Sequence, residues 1–476
     1  MKRYGHCLIA AMVISAMLPA AAGDLPAAYS LFDRLFSKPA ANGYEYQVPF
    51  PFEKLIEHIQ QEVYDGSSDG LVGVMIPRGR SLQREAAKPD YYRFPRIVIA
   101  LDRESPRPIA VKNRLFLGYQ EKAEAIEVIS YNDVEGRFEF QVVEDYAAGK
   151  TPKVRYASRR LCSSCHQNSA TIYARPLWRE SNFNPKVAAL LGEFQSSYHG
   201  ISTDTHSGDS GRFDLATDQA NLLGAYQQVW QKGCEASALA QSNRRCRAAF
   251  FLAALQEAMA TVPRARFQSR LIEQNLMPLL QANWASRWPQ GMPVHSGDID
   301  DRRPMLNSDI DLLPPQKDPI SLRAPLAHWS YRSAALRSIA GLGENFILKT
   351  DLQALNDKLY TLAAKALLPG QMQHGNCAID WPLAFAQDQW ISISCLLGDV
   401  DQGQIEISGD LHVQAGGQIS RELSWLLIAA KTHSVRVEVS GRLDPDNNEQ
   451  QSLQLWKPFQ PLAARLWDNR LLSHFS

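Results

Sequence analysis

Residues 126–142 read I-E-V-I-S-Y-N-D-V-E-G-R-F-E-F-Q-V and carry the clearest secondary-structure pattern in the chain. Phe138, Phe140 and Val142 alternate with polar residues, and a period of two is typical of a β-strand with one buried face. The polar stretch 132–136 separates this run from the earlier run at Ile126 and Val128. The pattern therefore predicts an antiparallel β-hairpin.

The flanking sequence extends this hairpin into a β-rich module. The apolar run Arg96–Leu101 predicts a short buried strand. Upstream of it, Pro51 begins a predicted helix with one apolar face, and the Asp- and Gly-rich residues 65–70 end it. Residues 24–43 are small and mixed-polar, which favours a loosely ordered leader. Beyond the hairpin, residues 154–160 lead into the sequence Cys162-Ser163-Ser164-Cys165-His166.

C-x-x-C-H is the attachment signature of c-type haem. Two thiols at this spacing can add to the two vinyl groups on one edge of a porphyrin. The following residue, His166, can then supply an imidazole nitrogen to the iron. The motif predicts one covalently bound haem c held by Cys162 and Cys165.

Three other interpretations of this motif remain open. A C-x-x-C pair can be a thioredoxin-like redox pair, half of a zinc site, or a pair with no role. The sequence contains no second C-x-x-C and no H-x3-5-H. None of the three explains a histidine directly after the second cysteine.

The first residues indicate export. Lys2 and Arg3 precede an apolar run over residues 7–18, and Ala20-Ala21-Ala22 fits a cleavage site, so residues 1–22 are predicted to be a signal peptide. The run is too short to span a bilayer, and no later stretch is long and apolar enough. The mature protein is therefore expected in the periplasm and not in the membrane. Lys+Arg and Asp+Glu both number 50, which gives no indication of nucleic-acid binding.

Composition and pattern predict an α+β multidomain protein. After the signal peptide we expect an α+β N-terminal module at 23–158, a mainly helical haem c region at 159–370 and a C-terminal antiparallel β-domain at 371–476. In the middle region, residues 215–230 form an apolar helical pattern, residues 246–260 a second and residues 267–272 a third that Pro278 is expected to stop or kink. Two shorter helices are expected near 331–340 and 351–365. The 476 residues greatly exceed what one haem domain needs.

Four further cysteines fall into two local pairs. Cys234 lies near Cys246, and Cys377 lies near Cys395. In an oxidising compartment such pairs favour disulfides, each worth about 3 kcal/mol in the chain-entropy model. Some of these thiols could instead stay free and buried.

The second axial ligand would decide what the iron does. A methionine or histidine there gives an electron carrier, whereas an open position accepts a small ligand. Met292 is the chosen candidate, because it follows Gly291 and precedes a proline in an irregular segment. The other candidates are Met259, Met277, Met305, Met372, His199, His206 and His295.

Arginines near the motif are candidate partners of the haem propionates, because a guanidinium can bond both oxygens of a carboxylate. Arg175 is the chosen residue, with Arg159, Arg160 and Arg179 as further candidates. All four could equally be ordinary surface arginines.

The stretch around Cys162–His166 resembles the haem attachment site of c-type cytochromes. The wider sequence, with Pro176-Leu177-Trp178 and Asn184-Pro185, is similar to large single-haem exported bacterial proteins. The resemblance implies covalent haem through Cys162 and Cys165 with His166 as iron ligand. It implies neither a substrate nor a distal ligand.

Three functions are compatible with these features. The first is a periplasmic monohaem cytochrome that transfers electrons to or from a redox partner protein. The second is a haem c enzyme or gas-binding protein with an open distal site, peroxidase-like or oxygenase-like. The third is a secreted binding or scaffold protein with a structural haem. No G-x-S-x-G or H-E-x-x-H sequence marks a hydrolase site.

Overall fold

The structure is a computed structural model. It describes residues 30–40, 43–78, 84–158, 162, 181–204, 209–235, 271–295 and 326–348, seven isolated positions between 246 and 258, and strands within 376–429. The predicted signal peptide and the predicted helix at 351–365 lie outside the described residues. Among the described helices, none combines the length and apolar character needed to cross a membrane.

A six-stranded antiparallel sheet forms the centre of the described fold. Its strands are β3 (Leu71–Ile76), β4 (Arg96–Leu101), β5 (Leu115–Gln120), β6 (Ala125–Asn132), β7 (Arg137–Glu144) and β8 (Lys153–Tyr156). They lie side by side in chain order, so β3 and β8 are the two edges. The predicted hairpin is confirmed as β6 and β7, with Ile129 opposite Phe140. The predicted strand at 96–101 is confirmed as β4.

Both faces of this sheet are buried, whereas the hairpin was expected to bury one face only. One hydrophobic cluster, which includes Val143, lies on one face of the sheet and is called the first-face cluster. A second cluster, which includes Phe138, lies on the opposite face and is called the second-face cluster. The expectation of a solvent face was wrong because its polar residues are buried too. Glu139 and Gln141 are 2% and 1% exposed. Glu139 accepts a hydrogen bond from Arg137, and Gln141 bonds Ser30 and Asp33.

Three helices cover the first face: α1 (Leu31–Phe36), α2 (Phe52–Tyr64) and α3 (Pro185–Gly192). Helix α2 confirms the helix predicted after Pro51, and Asp65 ends it in the left-handed conformation. Its buried Phe52, Leu55, Ile59 and Val63 each contribute about 1.5–3 kcal/mol by leaving water. Two short hairpins accompany these helices: β1 (Ser37–Ala40) with β2 (Gly43–Tyr46), and β9 (Ser197–Tyr198) with β10 (Ile201–Ser202).

The N-terminal residues are part of this layer, so the expectation of a loose leader over 24–43 was wrong from Ser30 onward. Ser30 caps α1 in a reciprocal capping box with Asp33, and both residues are fully buried. The backbone N–H of Phe32 donates to Ser130 Oγ at 2.8 Å, which ties α1 to β6.

The second face packs against helices α4 (Asp209–Gln228), α5 (Met277–Arg287) and α6 (Tyr331–Phe346). Helix α4 continues as a π-helical turn over Val229–Gly233, and a second π-helical turn, Leu271–Leu276, precedes α5. Pro278 was expected to stop or kink the helical pattern before it, and the π-helical turn does end at Leu276, with Pro278 in the first turn of α5. Leu215 was assigned to the apolar face of α4 but is 55% exposed. Strands β11 (Met292–His295) and β12 (Leu326–Trp329) pair beside these helices.

Arg114 joins the sheet to the helical layer. Its guanidinium is 2% exposed, donates to the carbonyl of Asn345 at the end of α6, and lies over the rings of Tyr131 and Phe346 at 5.3 and 4.8 Å. Residues on both sides of the predicted 158/159 boundary therefore share one core. The domain division itself stays a prediction.

Two cysteine pairs were expected to form disulfides. Cys234 and Cys246 are bonded and fully buried, as expected. Cys377 lies directly opposite Cys395 in a four-stranded antiparallel sheet formed by β13 (Asn376–Ile379), β14 (Gln389–Asp399), β15 (Gly403–Val413) and β16 (Ile419–Ala429). This sheet agrees with the expected C-terminal β-region. Cα atoms of opposed antiparallel residues are about 4.5–5.5 Å apart, which a disulfide can span.

Candidate functional site

The chain approaches the C-x-x-C-H motif from the β8 edge of the central sheet. After Tyr156, the N–H of Ala157 donates to the carbonyl of Phe140 at 2.8 Å. The N–H of Cys162 then donates to the carbonyl of Ser158 at 3.1 Å, which is an i to i−4 bond. Cys162 is helical and half-buried. The first motif cysteine is thus one helical turn away from the sheet edge.

The chain rejoins the sheet at its opposite edge. The N–H of Asn182 donates to the carbonyl of Met75 on β3 at 3.0 Å, and the Asn182 Oδ1 accepts from the N–H of Met75 at 2.9 Å. Asn184 then caps α3 through the N–H of Lys186, with Pro185 in the first turn. Asn182 and Asn184 are both buried. The 22 residues 159–180 therefore connect the β8 edge to the β3 edge.

Most of the predicted haem residues lie outside the described residues. Cys165, His166 and Arg175 belong to this group, as do Arg159, Arg160 and Arg179. Cys162 is the described member of the motif.

The donor set of the motif fits a c-type haem. Cys162 has helical geometry, and in a helix positions i, i+3 and i+4 lie on one face. Cys165 and His166 follow Cys162 at i+3 and i+4 in the sequence. Cys162 and Cys165 would hold the porphyrin, and His166 would hold the iron. When bound, the haem would supply one-electron redox chemistry.

Met292 lies in the interior of the helical layer. It is 1% exposed, belongs to the second-face cluster and pairs with Trp329 across β11 and β12. Met277 at the start of α5 is also in this cluster. Both side chains therefore contribute to packing, and the predicted ligand role of Met292 stays a prediction.

His199 has hydrogen-bonding and aromatic partners on the first-face side. Its Nδ1 lies 2.8 Å from Glu53 Oε1, and its ring packs edge-on against Phe52 and Tyr119. The backbone of His199 is in the left-handed region at φ 50°, in the turn between β9 and β10. These contacts hold the imidazole in that turn.

Two ion pairs lie on the second face, along β4 and β6–β8. Arg96 Nη2 is 2.5 Å from Glu127 Oε2, and Arg155 Nη2 is 2.6 Å from Glu144 Oε1. Arg96 passes over Gly118, where a Cβ would lie 2.5 Å from Nη2. Each guanidinium is thus matched by a carboxylate, and this part of the face is close to neutral.

Sequence reasoning missed a buried carboxylate cluster beneath the β8 edge. Asp33 accepts hydrogen bonds from the Tyr46 hydroxyl at 2.8 Å, from Gln141 Nε2 at 2.6 Å and from the Tyr156 hydroxyl. The N–H of Ser30 donates to it at 3.0 Å. The S-x-x-D spacing of Ser30 and Asp33 could be recognised in the sequence as a helix N-cap. The partners of Asp33 that are distant in sequence could not.

The tyrosines of this cluster are held in the protonated form. Burial raises the pKa of both Tyr46 and Tyr156 well above its ordinary value, and the Asp33 carboxylate raises each pKa further. A protonated phenol donates to the carboxylate, so the cluster is stable with neutral tyrosines.

Within the described part of the chain, no group of three or more His, Cys, Asp or Glu side chains is arranged to hold a metal ion. Comparison with protein-family models, with curated proteins and with solved structures finds no match to this chain. The assignment of a function therefore depends on the motif and its structural setting.

Proposed function

We propose that this chain is a periplasmic monohaem c-type cytochrome that carries single electrons to or from a redox partner protein. The observation that carries the proposal is the sequence Cys162–His166, whose first residue is helical and bonds the carbonyl of Ser158, just after the β8 edge of the central sheet. Cys162 and Cys165 are the attachment thiols, His166 is the proximal ligand, Arg175 is a propionate partner and Met292 is the distal ligand. Residues 1–22 direct export.

Covalent attachment gives the proposal a direct test. The full chain with its own leader is expressed in a bacterium that makes cytochromes c, and haem is measured by peroxidase staining after denaturing electrophoresis. We expect staining of the wild type and its loss in the Cys165→Ser variant. The Cys377→Ser/Cys395→Ser variant, which removes two cysteines outside the motif, should retain it.

The iron ligand is tested by visible spectroscopy. His166→Ala should lack the normal haem spectrum, whereas His328→Ala, which changes an exposed histidine on β12, should keep it. A wild type without covalent haem would refute the proposal. So would a His166→Ala variant with normal spectrum and redox activity.

A second candidate is a haem c enzyme or gas-binding protein with an open distal site. The observation that favours it is that Met277, Met292 and His199 each already pack in a core or bond a neighbour. Carbon monoxide separates the two candidates. A ferrous spectrum unchanged by carbon monoxide supports the electron carrier, and a shifted spectrum supports the open site.

A further inference from the structure

A histidine between two glutamates lies on the first-face side of the sheet, outside the C-x-x-C-H motif. Glu53 and Glu121 flank His199, one at each ring nitrogen. From this arrangement we infer that His199 and Glu121 bind a divalent metal ion that prefers nitrogen and oxygen ligands, such as zinc, and that Glu53 holds the imidazole in position. The inference does not depend on the proposed haem, because none of these residues belongs to the motif.

Three separate elements bring these side chains together. Glu53 lies in the first turn of α2, and Glu121 begins a short 3-10 turn between β5 and β6. His199 and Gly200 form the turn between β9 and β10 and both have positive φ, 50° and 82°. Two such residues are typical of a type I′ hairpin turn, whose first position is usually asparagine or glycine. A histidine at this position instead places an imidazole between the two glutamates.

The contact with Glu53 determines which ring nitrogen of His199 carries the hydrogen. Nδ1 lies 2.8 Å from Glu53 Oε1. A carboxylate only accepts hydrogen bonds, so Nδ1 is the donor, and Nε2 of the neutral imidazole then has a lone pair. Histidines that bind metals are commonly held in this way, with the other ring nitrogen donating to a carboxylate.

The second ring nitrogen of His199 faces the second carboxylate. Nε2 is 3.8 Å from Glu121 Oε2, longer than the hydrogen-bond range of about 2.7–3.2 Å. Two lone-pair acceptors therefore face each other, and a cation between them would satisfy both. Zinc bonds imidazole nitrogen and carboxylate oxygen at about 2.0–2.2 Å, which puts tetrahedral ligand atoms about 3.4 Å apart. The Glu121 side chain is 49% exposed and can move by the roughly 0.4 Å required.

A buried tyrosine hydroxyl gives independent evidence for a ligand at this position. Tyr119 is 4% exposed, and its ring packs edge-on against the His199 ring at 5.0 Å. Its hydroxyl forms no hydrogen bond with any residue that the structure describes. Burial raises the pKa of Tyr119, and the carboxylates of Glu121 and Glu53 raise it further, so a protonated hydroxyl lies close to them. Buried polar groups need partners, and a water molecule on the metal ion would accept from this hydroxyl.

The charges around the site favour a cation. Two carboxylates flank one neutral imidazole, and the lysines next to them in sequence are engaged elsewhere. Lys54 pairs with Glu57, and the Lys122 ammonium lies over the Phe94 ring at 4.1 Å. The site has two protein ligands, and water completes the coordination. It is therefore not a cluster of three or more His, Cys, Asp or Glu ligands.

Titration of the purified full-length protein with zinc, followed by isothermal calorimetry, tests this site. We expect binding to weaken at least tenfold in His199→Asn and in Glu121→Gln. Asparagine tolerates the left-handed backbone at position 199, so the turn is kept. Glu53→Gln should weaken binding roughly 10–100-fold, as loss of a group that orients a ligand does. Glu57→Gln is the matched control, because Glu57 lies one helical turn further along α2 and is 58% exposed, and it should bind zinc like the wild type.

X-ray absorption at the zinc edge identifies the ligands. Nitrogen and oxygen at about 2.0–2.2 Å, with imidazole scattering that is absent in His199→Asn, would support the site. Sulfur at about 2.3 Å would place the zinc on cysteine thiols and overturn the inference. Wild-type affinity in either His199→Asn or Glu121→Gln, or no binding at millimolar zinc, would also overturn it. Haem staining does not involve these residues and tests the proposed function separately.

Discussion

Replacement of Asp33 by asparagine tests whether the buried cluster requires a carboxylate. Asp33 is fully buried and accepts four hydrogen bonds, two on each oxygen. The asparagine side chain would keep one oxygen and present an amide NH2 in place of the other. Either orientation of the amide turns that NH2 toward two donors.

The expected loss follows from these contacts. Hydrogen bonds to a charged group each contribute about 1.5–3 kcal/mol, so two lost bonds correspond to roughly 3–6 kcal/mol. A tyrosine hydroxyl can rotate and accept from the new amide, which reduces the loss. We therefore expect Asp33→Asn to lower the free energy of unfolding by about 3 kcal/mol, a large part of the roughly 5–15 kcal/mol typical of a folded protein.

Urea unfolding followed by far-ultraviolet circular dichroism measures this change. The midpoint should fall while the slope of free energy against urea stays constant. Asp145→Asn is the matched control, because the Asp145 side chain is 41% exposed, pairs with Lys153 and has a left-handed backbone that asparagine tolerates. We expect the control to keep the wild-type midpoint. An Asp33→Asn protein within about 1 kcal/mol of wild type would contradict the reasoning.

Three further predictions concern packing, ligation and pH. Gly341→Ala places a Cβ against the Tyr226 ring, closer than van der Waals contact allows, and should lower the free energy of unfolding in urea by about 1–3 kcal/mol. The control Gly224→Ala, where the Cβ enters open space, should raise it by up to about 1 kcal/mol. Equal effects would contradict the close α4–α6 contact. Met292→Ala should make the ferrous spectrum sensitive to carbon monoxide and Met277→Leu should not; an unchanged spectrum in both leaves Met292 a packing residue. The free energy of unfolding should fall as pH rises above about 10, because buried tyrosines stay protonated in the folded chain while the same tyrosines ionise in the unfolded chain. A free energy of unfolding that does not change over this pH range would refute the prediction. The tyrosines with a raised pKa are Tyr46, Tyr64, Tyr119, Tyr131, Tyr146, Tyr156 and Tyr226.

Local patterns predicted the elements that carry a clear period. The helix after Pro51 and the hairpin of β6 and β7 follow from apolar spacing alone. Strands β3 and β5 were not predicted although β4 was: all three are apolar runs without alternation, but β3 and β5 each contain a glycine, a residue depleted in strands. Leu71–Ile76 and Leu115–Gln120 are such runs.

The burial of polar residues could not be predicted from the same patterns. Glu139 and Gln141 alternate with phenylalanines and therefore indicated a solvent face. They are buried because Arg137, Ser30 and Asp33 satisfy their hydrogen bonds, and Ser30 and Asp33 are more than 100 residues away. Period analysis contains no information about such distant partners.

The residues of the candidate site also fall into a group that the sequence identifies and a group that it does not. Cys162, Cys165 and His166 are adjacent in sequence, so a motif identifies them. Ala157, five residues before Cys162, bonds the backbone of Phe140 only because β7 and β8 pair, and the backbone and side-chain bonds between Asn182 and Met75 join residues 107 positions apart. Neither relation has a signature in the linear sequence.

The strand order has a consequence for how the molecule is made. Each neighbouring pair in the central sheet is also consecutive along the chain, so every strand pairs with its neighbour in sequence and the sheet can form early. A chain that crosses a membrane from its N-terminus would deliver all six strands before Cys162 emerges. Under the proposed function, Cys162 would become available for attachment after the six strands, and Asn182 would dock on Met75 later still.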